Sequence, residues 1–422
     1  MPEPSLPARR VCLVWPRLGP YHLARVRGAH ERFARDGGEA VALAVASDDR
    51  LYGWDVEDAP TPFRREVAFP GRAYEDVPPA EMEAGVTAAL DRIDPDAVAV
   101  PSYSTPDARA VVAWCRRHRR AAVMLYESRA GDAARNPLRE AVKRVLVRQF
   151  DACFASGAAH GAYAVGLGIP PEAVVLGRSV VDNEAFAAGA EAARRSPATW
   201  RELPGLDADT PFFLASNRFI QRKNLPALVR AYRAYRARSE ADGRPPWRLV
   251  LLGAGDGRAD LERLACDGVV FAGFQQAAVL PAYYGLAGAF VHPAESDQWG
   301  LVVNEAAAAG LPLLVSTGTG AAPDLVAEGR NGYTFAPADV AALTEGLHRI
   351  ARLSDVERAA FGDESRALVA RFTPETYGEA LREAVRLGEA RSDRGLSLAA
   401  RVVLTALRVG ARDATSFHTV EA

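Results

Sequence analysis

Cysteine is scarce in this chain: the four in 422 residues, Cys12, Cys115, Cys153 and Cys266, lie far apart. They form neither a Cys-x-x-Cys pair nor a His-Cys cluster of zinc-ligand spacing, which argues against a structural zinc site. Such isolated cysteines are expected as buried thiols in a reducing compartment, and the chain is therefore read as cytoplasmic. A surplus of one charge is also lacking. The formal net charge is −2, without the global basic field expected of a nucleic-acid binder, so no nucleic-acid partner is expected. No apolar run approaches the roughly 18 residues of a spanning helix. Arg9 and Arg10 precede an apolar stretch, Val11 to Trp15, too short for a signal-peptide core, so export is not expected. No internal repeat with a period of about 20 to 50 residues is evident.

What is present is ample core-forming material, 49% hydrophobic and 25% charged residues, in a chain long enough for two domains. In the first half, short apolar runs end in turn residues and alternate with helical patterns: Val11 to Trp15, Ala40 to Val45, Ala97 to Val100 and Ala121 to Leu125. That alternation predicts a parallel sheet flanked by helices. Asp94-Pro95-Asp96, before the third run, resembles an acidic metal triplet but reads as turn chemistry. A second series begins at Phe212 and continues through Arg248 to Gly253, Val269 to Phe274, Ala289 to His292 and Leu311 to Ser316. The chain is thus expected to be α/β, with Rossmann-like domains at 1–190 and 210–372 joined by a linker at 191–209. After Ala336 only helical patterns are expected. Residues 373–422 form a helical tail, expected to pack back on the first domain.

Two segments carry the candidate chemistry. Phe212-Phe-Leu-Ala-Ser-Asn-Arg-Phe-Ile-Gln-Arg-Lys-Asn224 reads as a strand, a loop with Arg218 and Lys223, and a helix whose apolar positions Leu225, Leu228, Val229 and Tyr232 share one face. Two cations at the carboxyl end of a strand, beside a helix N-terminus, suit a diphosphate. Basic residues in surface loops are also commonly just solvated. Ala289-Phe-Val-His-Pro-Ala-Glu-Ser-Asp-Gln-Trp-Gly-Leu-Val-Val-Asn-Glu-Ala-Ala-Ala-Ala-Gly-Leu-Pro312 reads as a strand, a polar loop and an Ala-rich helix. Asp297 is expected in the loop, and Glu305 near the first helical turn, facing the same crevice. Carboxylates placed there accept hydrogen bonds from sugar hydroxyls.

This block resembles the donor-binding signature of family-4 retaining glycosyltransferases (glycosyl transferases group 1), which have the GT-B fold of two Rossmann-like domains facing a cleft. The similarity covers most of residues 210 to 335. Arg218 and Lys223 keep the family's spacing of five, and Asp297 stands where the family has Glu, with Glu295 nearby as a substitute. The resemblance implies a metal-independent, retaining hexosyltransferase without a cofactor, its donor a nucleotide-diphosphate sugar. The acceptor would be a saccharide, a lipid-linked saccharide or a small molecule with a free hydroxyl. Arg218, Lys223 and Asp297 would be the catalytic set. Glu305 would bind the ribose hydroxyls, and the N–H groups of Gly300 and Leu301 the transferred sugar.

The loop Gly318-Thr-Gly-Ala-Ala-Pro-Asp-Leu-Val326 resembles the family's glycine loop, in which Gly320 would approach phosphate; an ordinary β-to-α turn with Asp324 as a cap is the alternative. In Leu18-Gly-Pro-Tyr-His22, Gly19 would approach the donor phosphates and His22 would contact phosphate or acceptor, or simply cap a helix. After the strand at Ala121 to Leu125 the family often has His, whereas this chain has Tyr126-Glu127-Ser128. Glu127 is then either a ligand for the acceptor hydroxyl or a structural carboxylate paired with a neighbour such as Arg129. Asp182 and Asn183 would line the cleft or form a turn. Two rival activities share the donor grip: a nucleotide-sugar epimerase or hydrolase, and a noncatalytic nucleotide-sugar-binding subunit. In the tail, Leu398, Val402, Leu404 and Val409 lie among Arg401, Arg408 and Arg412. They form either a basic amphipathic helix for peripheral membrane contact or a helix packed on the protein.

Overall fold

The computed structural model describes residues 9–50, 53–54, 60–132, 136–196, 203, 206 and 210–410. The chain forms two compact units, one of Met1–Val180 with Pro374–Ala422 and one of Val181–Thr373.

In the first unit a seven-stranded parallel sheet has the order β3-β2-β1-β4-β5-β6-β7. Its strands are β1 (Arg10–Trp15), β2 (Glu39–Asp48), β3 (Arg64–Ala73), β4 (Ala97–Val100), β5 (Ala121–Tyr126), β6 (Ala152–Ala155) and β7 (Val174–Leu176). β1, β4, β5 and β6 are continuous apolar runs because helices cover both faces of a parallel sheet. Those helices are α1 (Pro20–Ala34), α2 (Pro79–Ile93), α3 (Pro106–His118), α4 (Pro137–Val147) and α5 (Ala158–Leu167). Asp94 ends α2 in the left-handed region and Asp96 accepts the Arg10 N–H at 2.9 Å, so the acidic triplet is a turn.

The second unit begins with α6 (Asn183–Arg195), capped by Asp182, whose side chain accepts the Ala185 N–H at 3.1 Å. The expected boundary after residue 190 falls inside this helix. α6 belongs to the second unit because it packs on α9 (Leu280–Leu286), where a Cβ at Gly285 would lie 2.4 Å from Ala190 O. Glu191 to Arg195 are therefore helical rather than linker, and most of the expected linker lies outside the described residues. The six-stranded parallel sheet of this unit has the order β10-β9-β8-β11-β12-β13. It is built from β8 (Phe212–Ser216), β9 (Arg248–Leu252), β10 (Val269–Gly273), β11 (Ala289–His292), β12 (Leu313–Ser316) and β13 (Gly332–Phe335). The helices α7 (Leu225–Ala241), α8 (Arg258–Leu264), α10 (Leu301–Ala308), α11 (Ala322–Leu325), α12 (Val340–Ala351) and α13 (Asp355–Val369) complete it.

Of the tail helices, α14 (Pro374–Glu389) lies against α1 at a glycine crossing: a Cβ at Gly28 would sit 1.8 Å from Pro374 O, and one at Gly378 would sit 2.3 Å from Gly28 O. Across this contact Arg382 of α14 pairs with Asp36, and Arg32 of α1 pairs with Glu379. In α15 (Leu398–Gly410), Leu404 joins the first unit's core and Arg408 donates to Glu83 at 2.8 Å, while Leu398 and Val402 stay exposed. The helix thus packs on the first unit through Val403, Leu404 and Leu407, a face that does not include Leu398 and Val402. Arg412 and the Val409 side chain lie outside the described residues.

Candidate active site

The second sheet grows from β8 outward in both directions, through β9 and β10 on one side and β11 to β13 on the other. The connections leaving the carboxyl ends of adjacent β8 and β11 therefore part, and a crevice at such a switch point is where open α/β sheets bind ligands. The candidate residues follow these two strands. After β8 come Arg218, half-buried, and a single 3-10 turn, Gln221–Lys223, closed by Asn224 in the left-handed conformation. The Asn224 side chain donates to Pro337 O at 2.9 Å, fixing the turn that carries Lys223.

Lys223 Nζ lies 2.5 Å from Asp297 Oδ2, and the same oxygen is 2.8 Å from His292 Nε2 at the end of β11. Asp297 is buried, which opposes its ionisation, yet the Lys223 charge and the His292 hydrogen bond hold its carboxyl well below the usual range. His292 is pushed down by burial and by Lys223 against the pull of Asp297, so it is a neutral donor here. Its Nδ1 is buried without a hydrogen-bond partner among the described residues. Asp297, expected as a catalytic carboxylate able to accept from sugar hydroxyls, accepts here from Lys223 and His292 through Oδ2. Glu295 is exposed and outside this network.

The Asp297 backbone is held as firmly as its side chain. Asp297 N–H donates to Gly318 O at 3.1 Å and Gly320 N–H to Asp297 O at 2.9 Å, pairing the two loops like an extra sheet rung. The Gly320 N–H is thus bonded within the protein. Asp324 is not the cap of α11, whose N-cap is Ala321; it pairs with Arg371 at 3.6 Å. Gly300 caps α10 at φ +91, where a Cβ would lie 2.9 Å from Thr319 Cγ2, so only glycine fits. Leu301 opens α10, and the first N–H groups of an α-helix have no partner within it. Glu305 lies in the second helical turn rather than the first, 1% exposed, and its Oε2 accepts the Tyr284 hydroxyl at 2.6 Å. A carboxylate offers about four acceptor positions, so Tyr284 does not exhaust it. Asn217, one residue beyond β8, is buried with neither amide atom hydrogen-bonded among the described residues. Its position at a strand's carboxyl end was the signal available in the sequence.

In the first unit the switch point is between β1 and β4. Gly19 is extended at φ −134, and a Cβ there would meet only His22 Nδ1 at an ordinary 3.7 Å, so the fold itself makes no demand for glycine. His22 Nδ1 accepts the Gly19 N–H at 3.0 Å, which leaves Nε2 as the protonated nitrogen. Burial first, then Arg25 and Arg178, push His22 down to about 3, so it is neutral. Glu127 pairs with Arg178 at 3.1 Å and accepts the Ser179 hydroxyl at 2.8 Å. Its partner is therefore not Arg129, which pairs with Asp132 instead. Asn183 donates to Val369 O at 3.1 Å within its own unit. Arg25 and Arg178 gave no local signal, because neither belongs to a motif. Among the described residues no group of three His, Cys, Asp or Glu side chains is placed to hold a metal ion, and no helix is long and apolar enough to cross a membrane.

Two parallel sheets with these flanking helices make the GT-B fold of glycosyltransferases. It is shared over 90% of this chain with a sucrose-phosphate synthase from Thermosynechococcus elongatus, at 19% identity and a TM-score of 0.66 over 98% of that protein. A HepE structure from Anabaena, solved with UDP, gives 17% identity and a TM-score of 0.63 over 90% of this chain and 99% of that one. Residues 198–368, within the second unit, match the family model described as glycosyl transferases group 1. Among curated proteins, the chain is 31% identical over 192 residues to a GDP-mannose-dependent alpha-(1-6)-phosphatidylinositol monomannoside mannosyltransferase of Mycolicibacterium smegmatis, covering 43% of this chain and 47% of that protein. The chain spans about half the length of this relative.

Proposed function

We propose that this protein is a retaining glycosyltransferase that moves a sugar from a nucleotide-diphosphate sugar to an acceptor hydroxyl without a metal ion or other cofactor. The observation that carries the reading is the Lys223–Asp297–His292 network at the switch point, with Arg218 on the same loop as Lys223 and Glu305 one helix away. Breaking the glycosyl–phosphate bond leaves negative charge on the diphosphate, which fixed cations stabilise without reorganisation. Arg218 and Lys223 supply that charge. Lys223 has three donors, of which Asp297 occupies one, so the carboxylate aims the ammonium while leaving two N–H groups for phosphate. Asp297 thus acts mainly on Lys223, and Glu305 accepts the ribose hydroxyls. The N–H groups at Gly300 and Leu301 hold the sugar, and Gly320 supports the loop that carries Asp297.

In the first unit, Gly19 gives room for donor phosphate, His22 is a neutral Nε2–H donor, and Glu127 faces the acceptor. The acceptor hydroxyl attacks the anomeric carbon from the side the diphosphate leaves, and its proton passes to a phosphate oxygen. Both the new glycosidic bond and the broken phosphate ester are then accounted for without a protein nucleophile. The name of the mycobacterial relative makes GDP-mannose the first donor to try, and a lipid-linked saccharide the first acceptor. Thermal shift with GDP, UDP, ADP and dTDP tests the donor site, since a ligand of the native state raises its stability. Turnover of the matching nucleotide sugar is then followed with and without acceptor. Turnover that needs acceptor and retains anomeric configuration supports the reading; equal turnover without acceptor would replace it with an epimerase or hydrolase.

A further inference from the structure

Arg25 is 3% and Arg178 is 6% exposed. Guanidinium groups are almost never buried to this extent without partners, because losing hydration is costly unless a counter-charge replaces it. Here the partners run short. Arg25 Nε donates to Val180 O at 3.2 Å, while its Nη2 is buried with no hydrogen-bond partner among the described residues. Arg178 pairs with Glu127 Oε2 at 3.1 Å, while its Nε is likewise buried and unpartnered. Glu127 is shared further, since its Oε1 accepts the Ser179 hydroxyl, which lies 2.7 Å from that of Ser156.

The remaining titratable groups do not balance the charge. His22 is neutral, and burial pushes the Tyr377 hydroxyl up to about 12, so it also stays neutral. Arg17 adds positive charge, but its own counter-ions are Asp48 at 3.7 Å and Asp49 at 3.9 Å. One carboxylate therefore serves two buried guanidiniums, and the cluster keeps an excess of one positive charge. The Tyr377 hydroxyl and Trp15 Nε1 add two more buried donors without partners. These groups lie at or just after the carboxyl ends of β1, β5, β6 and β7 or on α1 and α14, and the cluster reaches solvent through half-buried His22 and a Glu127 side chain that is 29% exposed.

We propose that Arg25 and Arg178 form an anion site that receives a phosphate group of the acceptor. Phosphate suits the pair because its oxygens take two N–H donors from each planar guanidinium and its charge offsets the surplus. That the phosphate belongs to the acceptor rests on the glycosyltransferase reading, in which the donor diphosphate is met by Arg218 and Lys223 of the second unit.

The test is calorimetry on the full chain saturated with the nucleoside diphosphate that binds it, titrated with inorganic phosphate, glucose 6-phosphate and glucose. Phosphate and glucose 6-phosphate are expected to bind and glucose not to. Arg25→Gln and Arg178→Gln should each weaken both by about tenfold or more, as for a lost buried charge pair, while nucleoside diphosphate affinity holds. Glu127→Gln removes the internal competitor and should tighten phosphate binding several-fold, which decides the matter if the arginine variants do not fold. No binding of either phosphate probe with or without the nucleoside diphosphate present, binding unchanged in the folded arginine variants, or unaltered affinity in Glu127→Gln would overturn the site. Displacement of phosphate by the nucleoside diphosphate would overturn the acceptor assignment and give the cluster to the donor. Phosphate binding that depends on both arginines in a chain that binds no nucleoside diphosphate would instead strike the donor reading and leave this site standing.

Discussion

Asp297→Asn separates a carboxylate that aims Lys223 from one that binds sugar. The substitution keeps the size of the side chain and removes one charge from a pair 2.5 Å apart whose side chains are 13% and 12% exposed. Removing one member of a buried pair costs roughly 3 to 5 kcal/mol, and the residual solvent contact places this pair at the lower end, about 3 kcal/mol. With an m-value of about 2 kcal/mol/M, the urea midpoint of the second unit should fall by roughly 1.5 M. The loss should also depend on pH. Lys223 and His292 depress the Asp297 carboxyl in the folded state against the effect of burial, so its stabilisation is present above the ordinary carboxylate range and is lost as pH falls through it. The acid limb of the stability profile should therefore be shallower in the variant than in the parent. Catalytically, Lys223→Ala should lower kcat by about 100-fold, in the manner of a lost charge-stabilising donor. Asp297→Asn should lower it by about tenfold or more, because the ammonium is no longer aimed. If Asp297 acts through Lys223, the double variant is no worse than Lys223→Ala alone, since residues working as one unit are not additive. Multiplying kcat losses, or a urea midpoint unmoved by Asp297→Asn, would refute the positioning role.

Glu305→Ala should weaken nucleoside diphosphate binding by about 2 to 4 kcal/mol in calorimetry, and unchanged affinity in the folded variant would remove its ribose role. Activity should persist in EDTA; loss that magnesium or manganese restores would show that the diphosphate charge is met by a metal. His22 falls from 6.5 to about 3 because burial and then Arg25 and Arg178 disfavour its charged form, so the parent should lose stability as pH drops below 6.5. His22→Asn should flatten that slope by up to about 1 kcal/mol per pH unit, measured as urea midpoints at pH 7 and pH 5.

The strands legible in the sequence are those whose surroundings leave little choice of residue. β1, β4 and β5 are buried on both faces and appear as unbroken apolar runs. Three of the four strands not anticipated, β3, β7 and β13, lie at sheet edges. β3 contains Arg64, Arg65, Glu66 and Pro70, a composition suited to one open side and poor in strand signal. The last turn of α6, Glu191 to Arg195, falls in the expected linker because its residues are alanine, arginine and glutamate. What makes it part of the second unit is the close approach at Gly285, about ninety positions further on.

The site divides along the same line. Spacing of five between Arg218 and Lys223, and of eight between Asp297 and Glu305, is local information, and the structure places all four at the switch point of one sheet. What local spacing omits is which groups neutralise one another. Lys223 and Asp297 are separated by 74 positions, and no interval in the sequence shows that they pair. The Gly320 N–H bond to Asp297 O, which ties the two loops together, is equally invisible in the sequence. Arg25 and Arg178 belong to no pattern in the sequence, and only the shortage of acceptors around them marks them out. In such sites residue types and intervals name the chemistry, while the count of unspent donors and charges, visible only after folding, says which groups remain free to perform it.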